Sequence, residues 1–442
     1  MPAGASGVRN YTIVTLSYFL FTLTDGALRM IVLLHFYSLG YTPFMLAFLF
    51  LLYEAAGIFA NLGGGWLASR FGIPRMLASG MTVQIVGLLM LSALDPKWSA
   101  TLSVVWVVCA QGLAGVAKDL TKTASKSAIK ASSTEGAGQL FHWVAWFTGS
   151  KNATKGAGFF VGGFLLQLVG FRSALWLMAG MLALVLVLVL TALPRKLGKA
   201  KSSKTFRELF AKSRAINLLA AARIFMFASR DVWFVVALPV YLYSFGWKYM
   251  QVAGFVAAWT IGYGLVQAIA PMMVTRSKDG LSREIPAAHV WGAILALIPA
   301  VLAAAITKQA AIVLPALAHP DLVLVVGLLI FGVAFAVNSS LHSYLILAYA
   351  GSEKAAEDVG FYYAANAAGR LMGILLSGAL MQKWGMEACL GGSAVLLVLC
   401  LAISFLLPTR VAANSTVKEQ PDAMTSMIAP QKAEPQGQLR HS

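Results

Sequence analysis

Seven cationic residues lie in or beside long apolar segments of this chain, where a charge is costly to keep. They are Arg29, Lys118, Lys122, Lys151, Lys155, Arg230 and Arg370. A charge at membrane depth is retained where it lines a cavity or meets a partner of opposite sign. The acidic residues at comparable positions are fewer, namely Asp25, Glu54, Asp119 and Asp231. This surplus of positive charge predicts a site that binds a small anion.

Lysines recur at every fourth residue from Lys118 through Lys122 and Lys126 to Lys130, which places successive members close together on one helix. Like charges at that spacing repel, so Asp119, water, lipid phosphate or a bound anion must compensate them. Lys118 and Lys122 lie nearer the apolar run, and we expect them to line a cavity. Lys126 and Lys130 lie at the helix end, and we expect them to contact anionic lipid.

Lys151 and Lys155 form a second pair at this spacing, in the segment GSKNATKGAG (149–158). Its small residues leave room for a ligand beside the two ammonium groups. The alternative is that both side chains extend to the membrane surface and leave only their stems in apolar surroundings. The small neighbours favour binding of an anion.

Three arginines fall near the middle of their apolar segments, at the depth where transporter sites are expected. Arg29 lies one helical turn after Asp25, and Arg230 adjoins Asp231, so each aspartate is expected to neutralise its arginine when the site is empty. Two purely structural ion pairs are the alternative. Arg370 has no acidic neighbour one turn away, and its planar guanidinium suits two-pronged contact with phosphate or carboxylate.

Glu54 also lies near mid-depth and has no cation three or four residues away. A carboxylate without a counter-charge in a low dielectric takes up a proton readily. Glu54 is therefore our first candidate for proton coupling, and Asp25 is the second.

Composition indicates a membrane protein. The chain has 442 residues, of which 59% are hydrophobic and 12% are charged, and its net charge is +17. In a soluble protein this charge would suggest nucleic acid, but here it falls mostly in loops between apolar runs and gives no nucleic-acid signal. Three isolated cysteines have no metal or disulfide spacing. We find no catalytic triad, phosphate-binding loop or metal cluster, so we expect neither an enzyme nor a cofactor.

About twelve apolar runs have the length that a bilayer requires. Their approximate bounds are 11–36, 44–68, 75–94, 99–120, 146–169, 172–193, 215–243, 249–273, 286–306, 322–349, 361–382 and 387–407. The loops richest in Lys and Arg fall on one side, which predicts that both termini are cytoplasmic.

The expected domains are a six-helix bundle over residues 1–193 and a second over 215–408, joined by a basic cytoplasmic linker at 194–214. The polar tail 409–442 is expected to be disordered. The halves resemble each other, since YSLGY (37–41) matches YSFGW (243–247) and Asp25 matches Asp231 at the same offset. Repeated six-helix units are the plan of many transporters.

The segment GWLASRFGIPR (65–75) resembles the loop signature of major facilitator superfamily (MFS) transporters. Gly65, Arg70 and Gly72 fit that signature, whereas Ser69 stands where the family usually has Asp. The resemblance implies that glycine permits close helix approach and that Arg70 holds a cytoplasmic gate. The missing Asp puts one contact between the halves in doubt, and a simple basic turn is the alternative.

Four segments are similar to the organoarsenical efflux permeases of bacterial arsenic operons, the ArsJ group. They are TDGALRMIVLLHF (24–36), FLFLLYEAAGIFANLGGGWLASRFG (48–72), AGVAKDLTKTASKSAIK (114–130) and GSKNATKGAGFF (149–160). The resemblance implies a twelve-helix MFS fold, all α-helical, in the bacterial inner membrane. It further implies export of 1-arseno-3-phosphoglycerate, which a glyceraldehyde-3-phosphate dehydrogenase makes from arsenate, and hence arsenate resistance.

Two alternatives stay open. In the first, the chain carries another phosphorylated or carboxylated anion. In the second, it is a non-transporting sensor or scaffold built on the same fold. A scaffold would need its tail, so truncation of residues 409–442 would distinguish it from a carrier.

Overall fold

A computed structural model describes residues 3–132, 137–194, 213–274, 277, 281–349 and 355–408. Within these ranges, the side chains of residues 3–8, 11, 63–70, 126–132, 137–149, 271, 308, 311, 316, 347 and 355–359 lie outside the described part. The described residues fold into helices, as lipid requires, because a helix satisfies its backbone hydrogen bonds within one segment. Most of the predicted linker 194–214 and the whole tail 409–442 fall outside the described residues.

Thirteen α-helices are present in the described part of the chain. Those of the first half are α1 (Ala3–Ser38), α2 (Pro43–Leu49), α3 (Leu51–Phe71), α4 (Ile73–Ser92), α5 (Ala100–Ser132) and α6 (Ala137–Ala192). Those of the second half are α7 (Arg214–Phe234), α8 (Ala237–Ser244), α9 (Tyr249–Ile269), α10 (Glu284–Ala305), α11 (Lys308–Val313), α12 (Pro320–Tyr349) and α13 (Ala355–Ser404).

The two longest helices are each two membrane spans joined at a glycine. The described residues contain 10 apolar segments long enough to cross a membrane. Helix α6 has 56 residues and α13 has 50, so each would be about 75 Å long or more, over twice the apolar core of a bilayer. Each bends at a non-helical glycine, Gly170 (φ 77°) or Gly385 (φ 79°). Dividing both helices there accounts for the twelve predicted spans and confirms the predicted fold class.

The internal repeat is visible in two equivalent turns. Gly40 and Gly246, which are 206 residues apart, both have φ 86°. In each turn, the amide after the glycine donates to the carbonyl five residues earlier, at 3.1 and 3.2 Å. Left-handed glycine at a helix end is a common way to satisfy such carbonyls. The similarity of YSLGY to YSFGW therefore corresponds to the same local structure in both halves.

Glycines in α6 bring together the helices that carry the predicted site. A Cβ atom at Gly162 would lie 2.8 Å from the Cα of Ala27 in α1. A Cβ at Gly156 would lie 2.8 Å from the carbonyl oxygen of Ala257 in α9. Because side chains are not tolerated at such distances, glycine lets α6 pack closely against both helices. Helix α13 in turn packs against α7 and α3, so both halves meet around one central space.

The halves also contact each other at the end of the bundle that carries the two equivalent turns. The rings of Tyr37 and Tyr243 lie edge to face with their centroids 5.3 Å apart. The Phe44 amide donates to Gln382 Oε1 at 3.1 Å. Arg29 lies eight residues before Tyr37 on α1, or about 12 Å at helical rise. The two halves therefore contact each other about 12 Å beyond Arg29 along α1.

Replacing Gly170 or Gly385, at which α6 and α13 bend, by alanine should destabilise the protein. At Gly170 (ψ 179°) and Gly385 (ψ −166°) the backbone adopts a region that only glycine tolerates, so Gly170→Ala and Gly385→Ala should each cost about 1–3 kcal/mol. Gly180 and Gly391 are the matched controls, since a Cβ there meets nothing within 4 Å and both residues are helical. Thermal unfolding in detergent checks this. Equal melting temperatures for all four variants would contradict it.

Candidate functional site

A cavity of ≈ 230 Å³ lies between the two halves and is lined by residues of both. All seven cations expected to bind the anion line it: Arg29, Lys118, Lys122, Lys151, Lys155, Arg230 and Arg370. The four acidic residues Asp25, Glu54, Asp119 and Asp231 also line it. Arg223, which the sequence analysis did not single out, adds an eighth cation. The lining therefore carries an excess of four positive charges.

Glu54 is the most strongly paired carboxylate of the cavity, although we expected it to have no cationic partner. Its side chain is 1% exposed. Oε1 accepts hydrogen bonds from Arg29 and, at 2.7 Å, from Arg370, and Oε2 lies 4.0 Å from Lys118 Nζ. The expectation was wrong because the cationic partners of Glu54 lie on other helices, α1, α13 and α5. A search of the sequence neighbours of Glu54 along α3 cannot find them.

Arg370 links the two halves, and the expectation that it lacks an acidic partner is also wrong. Its Nη2 donates to Glu54 on α3 at 2.7 Å, and its Nε donates to Asp231 on α7 at 3.2 Å. Asp231 is fully buried and also accepts a hydrogen bond from Arg230 Nε at 2.6 Å. An unbroken chain of ion pairs thus runs Arg29–Glu54–Arg370–Asp231–Arg230.

Asp25 lies outside this chain. Tyr53 donates its hydroxyl to Asp25 Oδ1 at 2.6 Å. Within the described residues, no cation lies within 4.0 Å of its carboxylate, so the expected pair with Arg29 does not form. Arg29 turns instead toward Glu54, and its guanidinium stacks over the rings of Phe50 and Tyr53, 5.2 and 4.9 Å from their centroids. Asp25 is buried, with 4% of its surface exposed. It is therefore a buried carboxyl group whose hydrogen-bond donor, Tyr53, is neutral.

Asp119 lies between the first two lysines of the four-residue series. Its Oδ1 is 3.3 Å from Lys122 Nζ, and its Oδ2 is 3.7 Å from Lys118 Nζ. Asn61 accepts a further hydrogen bond from Lys122 at 2.7 Å, and Lys118 lies 4.0 Å from the centroid of the Tyr53 ring. One shared carboxylate therefore offsets part of the repulsion between the lysines. The side chains of Lys126 and Lys130 lie outside the described residues.

Lys155 and Arg223 have no acidic group within 4.0 Å in the part of the chain that the structure describes. The ammonium group of Lys155 lies 5.8 Å from the centroid of the Phe159 ring. Arg223 is 3% exposed and donates only to neutral acceptors. A sequence signal for Arg223 exists, since it precedes Arg230 by seven residues, or two helical turns, and so lies on the same face of α7.

The sequence matches the family model of the Major Facilitator Superfamily over residues 14–318. The chain belongs to this superfamily. It is therefore a multi-pass membrane transporter of the MFS type. No curated protein matches the sequence significantly.

Solved MFS structures share the fold at low sequence identity. The D-xylose-proton symporter is 14% identical with a TM-score of 0.70, and the match covers 91% of this chain and 100% of that one. A mutant of the nucleoside transporter NupG is 14% identical with a TM-score of 0.66, covering 91% and 98%. A POT family transporter in complex with 5-aminolevulinic acid is 14% identical with a TM-score of 0.67, covering 90% and 95%. These likenesses establish the fold.

The MFS loop signature is only partly within the described residues. Gly72 lies between α3 and α4 with φ 82°, which suits a tight turn that other residues rarely adopt. Gly65 and Arg70 belong to the stretch of α3 whose side chains lie outside the described part. The assignment of these three residues to a gate stays a prediction.

Removing the charge of Glu54 should destabilise this MFS protein strongly. Glu54→Gln leaves Arg29 and Arg370 with fewer counter-charges in a low dielectric, and breaking a buried ion pair in this way costs about 3–5 kcal/mol. Asp95→Asn is the control, since Asp95 lies in a loop and accepts from the Lys97 amide. Thermal unfolding of both variants in the same detergent checks the prediction. A Glu54→Gln protein as stable as Asp95→Asn would contradict it.

Proposed function

We propose that the protein exports a multiply charged organic anion by alternating access. The observation that supports an anionic substrate is the excess of four positive charges in a cavity lined by both halves. A site for a cationic solute would need the opposite excess, because an uncompensated charge in low dielectric is unstable without a partner. The excess cations are compensated when an anion enters.

The specific substrate we propose is 1-arseno-3-phosphoglycerate. Support comes from the similarity of four segments, including 114–130 and 149–160, to organoarsenical efflux permeases. This molecule carries a phosphate and an arsenate ester, both of which suit Lys and Arg donors. On this proposal the protein lies in a bacterial inner membrane with both termini in the cytoplasm. It works beside a glyceraldehyde-3-phosphate dehydrogenase that makes the substrate, and so confers arsenate resistance.

The ion-pair chain suggests how binding is tied to movement. Lys118, Lys122, Lys151 and Lys155 attract the incoming anion, and Arg29, Arg230 and Arg370 then hold it. To bind Arg370, the anion must compete with Glu54 and Asp231 for its guanidinium. Because one anion replaces another, Arg370 stays paired while its link between the halves is released. The halves can then rock about the occupied site.

Transport of arsenic into everted vesicles tests this function. Vesicles containing the protein and supplied with arsenate, glyceraldehyde 3-phosphate, NAD⁺ and the dehydrogenase should accumulate arsenic, and should stop when the dehydrogenase is omitted. Arg370→Gln should slow accumulation by about tenfold or more, since a lost charge-assisted contact exceeds about 1.4 kcal/mol. Arg172→Gln is the control, because among the described residues Arg172 donates to the Leu94 carbonyl alone and lies outside the cavity lining.

The same vesicles distinguish the alternatives. If no arsenic accumulates, the arsenical assignment fails. If 3-phosphoglycerate is taken up without arsenate and fully suppresses arsenic accumulation by competition, a carrier for another organic anion is favoured.

Asp25 is a better candidate than Glu54 for carrying a proton, because it has a neutral partner in Tyr53 whereas Glu54 holds cations. A bound anion makes protonation of a nearby carboxylate more favourable, so we propose that the proton moves in the same direction as the anion. Acidifying the medium around everted vesicles should then speed arsenic uptake. Asp25→Asn should remove this response, and an unchanged response would exclude Asp25. Asp95→Asn serves as the control.

A further inference from the structure

We propose that Arg223 and Lys155 are the two ends of the substrate site, each taking one anionic group, so that Arg223 selects anions with two such groups. This rests on the proposed transport of an organic anion and adds to it a specificity-determining residue. The two side chains belong to different halves, Lys155 to α6 and Arg223 to α7.

Arg223 is held as a rigid donor facing the cavity. Its Nε donates to Asn366 Oδ1 at 2.6 Å, its Nη1 to the Ser339 carbonyl at 3.0 Å, and its Nη2 to Ser343 Oγ at 3.3 Å. The rings of Phe227 and Tyr362 lie 4.4 and 4.8 Å from its guanidinium carbon.

These contacts leave part of the guanidinium available. A guanidinium has five N–H groups, so the three hydrogen bonds leave two N–H groups on Nη1 and Nη2. Asn366 and Ser343 line the cavity as well, so the free part of the guanidinium lies among neutral polar groups. That is a preorganised fork for a phosphate or carboxylate.

The contrast with Arg230 shows that this arrangement is specific. Arg230 lies two turns further along α7 and is paired with Asp231 at 2.5 Å. Arg223 lies on the same helix and lines the same cavity, yet within the described residues it has no acid within 4.0 Å. Burying a charge without a counter-charge costs free energy that a bound anionic group would recover. Arg230 is already compensated, whereas a bound anionic group would supply the counter-charge of Arg223.

Lys155 presents the equivalent situation in the first half. It lines the cavity, and in the described part of the chain it makes no ion pair. Three further cations, Arg29, Lys118 and Arg370, line the same cavity. An anionic group beside Lys155 would supply the counter-charge that its ammonium group does not have within 4.0 Å among the described residues.

A substrate with one anionic group can compensate only one of the two residues. A substrate with two groups can compensate both, and then contacts both halves at once. Preference for two-group anions should therefore depend on Arg223 and Lys155 together, whereas binding of one-group anions should survive loss of either.

Binding of two matched probes tests this with the full-length protein in lipid nanodiscs. 3-Phosphoglycerate has a phosphate and a carboxylate, and glycerol 3-phosphate has the same carbon chain with a phosphate alone. By calorimetry, the wild type should bind 3-phosphoglycerate about tenfold more tightly, which corresponds to one further charge-assisted contact. Arg223→Gln should lose this preference while its affinity for glycerol 3-phosphate changes less than about twofold. Lys155→Gln should lose the same preference.

The controls separate recognition from structure. Arg223→Lys keeps the charge and should regain part of the preference, and Arg172→Gln should leave both affinities unchanged. Equal weakening of both probes in Arg223→Gln, no preference in the wild type, or binding of neither probe would each overturn the inference. These outcomes are independent of arsenic accumulation in vesicles, so failure of the arsenical assignment and failure of the two-ended site can be told apart.

Discussion

Arg370 joins the two halves of the protein by contacting Glu54 and Asp231 at once, and the rest of the site depends on this bridge. Asp231 and Arg370 lie in the same half, so separation of the halves at this level breaks the contact between Arg370 and Glu54. Losing a counter-charge at membrane depth costs free energy, and an anion that takes the place of Glu54 on Arg370 offsets this cost. On the proposed function, binding of an anionic substrate therefore favours separation of the halves.

The bilayer makes much of the fold predictable from sequence. Spans must be apolar over about 20 residues, so the breaks near Gly170 and Gly385 could be placed from length alone. Cations in such spans are rare enough that each one signals the cavity, and all seven chosen from sequence line it.

The ion-pair partners were not predictable in this way. Glu54 and Arg370 are 316 residues apart, and Arg370 and Asp231 are 139 apart, so a search of helical neighbours cannot join them. Arg29 could pair with Asp25 by spacing, yet it turns to Glu54 because α3 brings that carboxylate within reach. Arg223 was missed although it lies two helical turns before Arg230, and its neutral acceptors on α12 and α13 became apparent only in the folded chain.

The sign of the cavity charge also bears on the energy source. With the cell interior negative, each net negative charge that leaves gains about 2.3 kcal/mol per 100 mV. Export of a multiply charged anion can thus be driven by the membrane potential alone. If Asp25 carries a proton outward together with the anion, the proton cancels one of those negative charges. The driving force then falls by about 2.3 kcal/mol per 100 mV. Since Glu54 is held by Arg29 and Arg370, we expect at most Asp25 to carry such a proton, and the remaining charges of the proposed substrate still favour its exit.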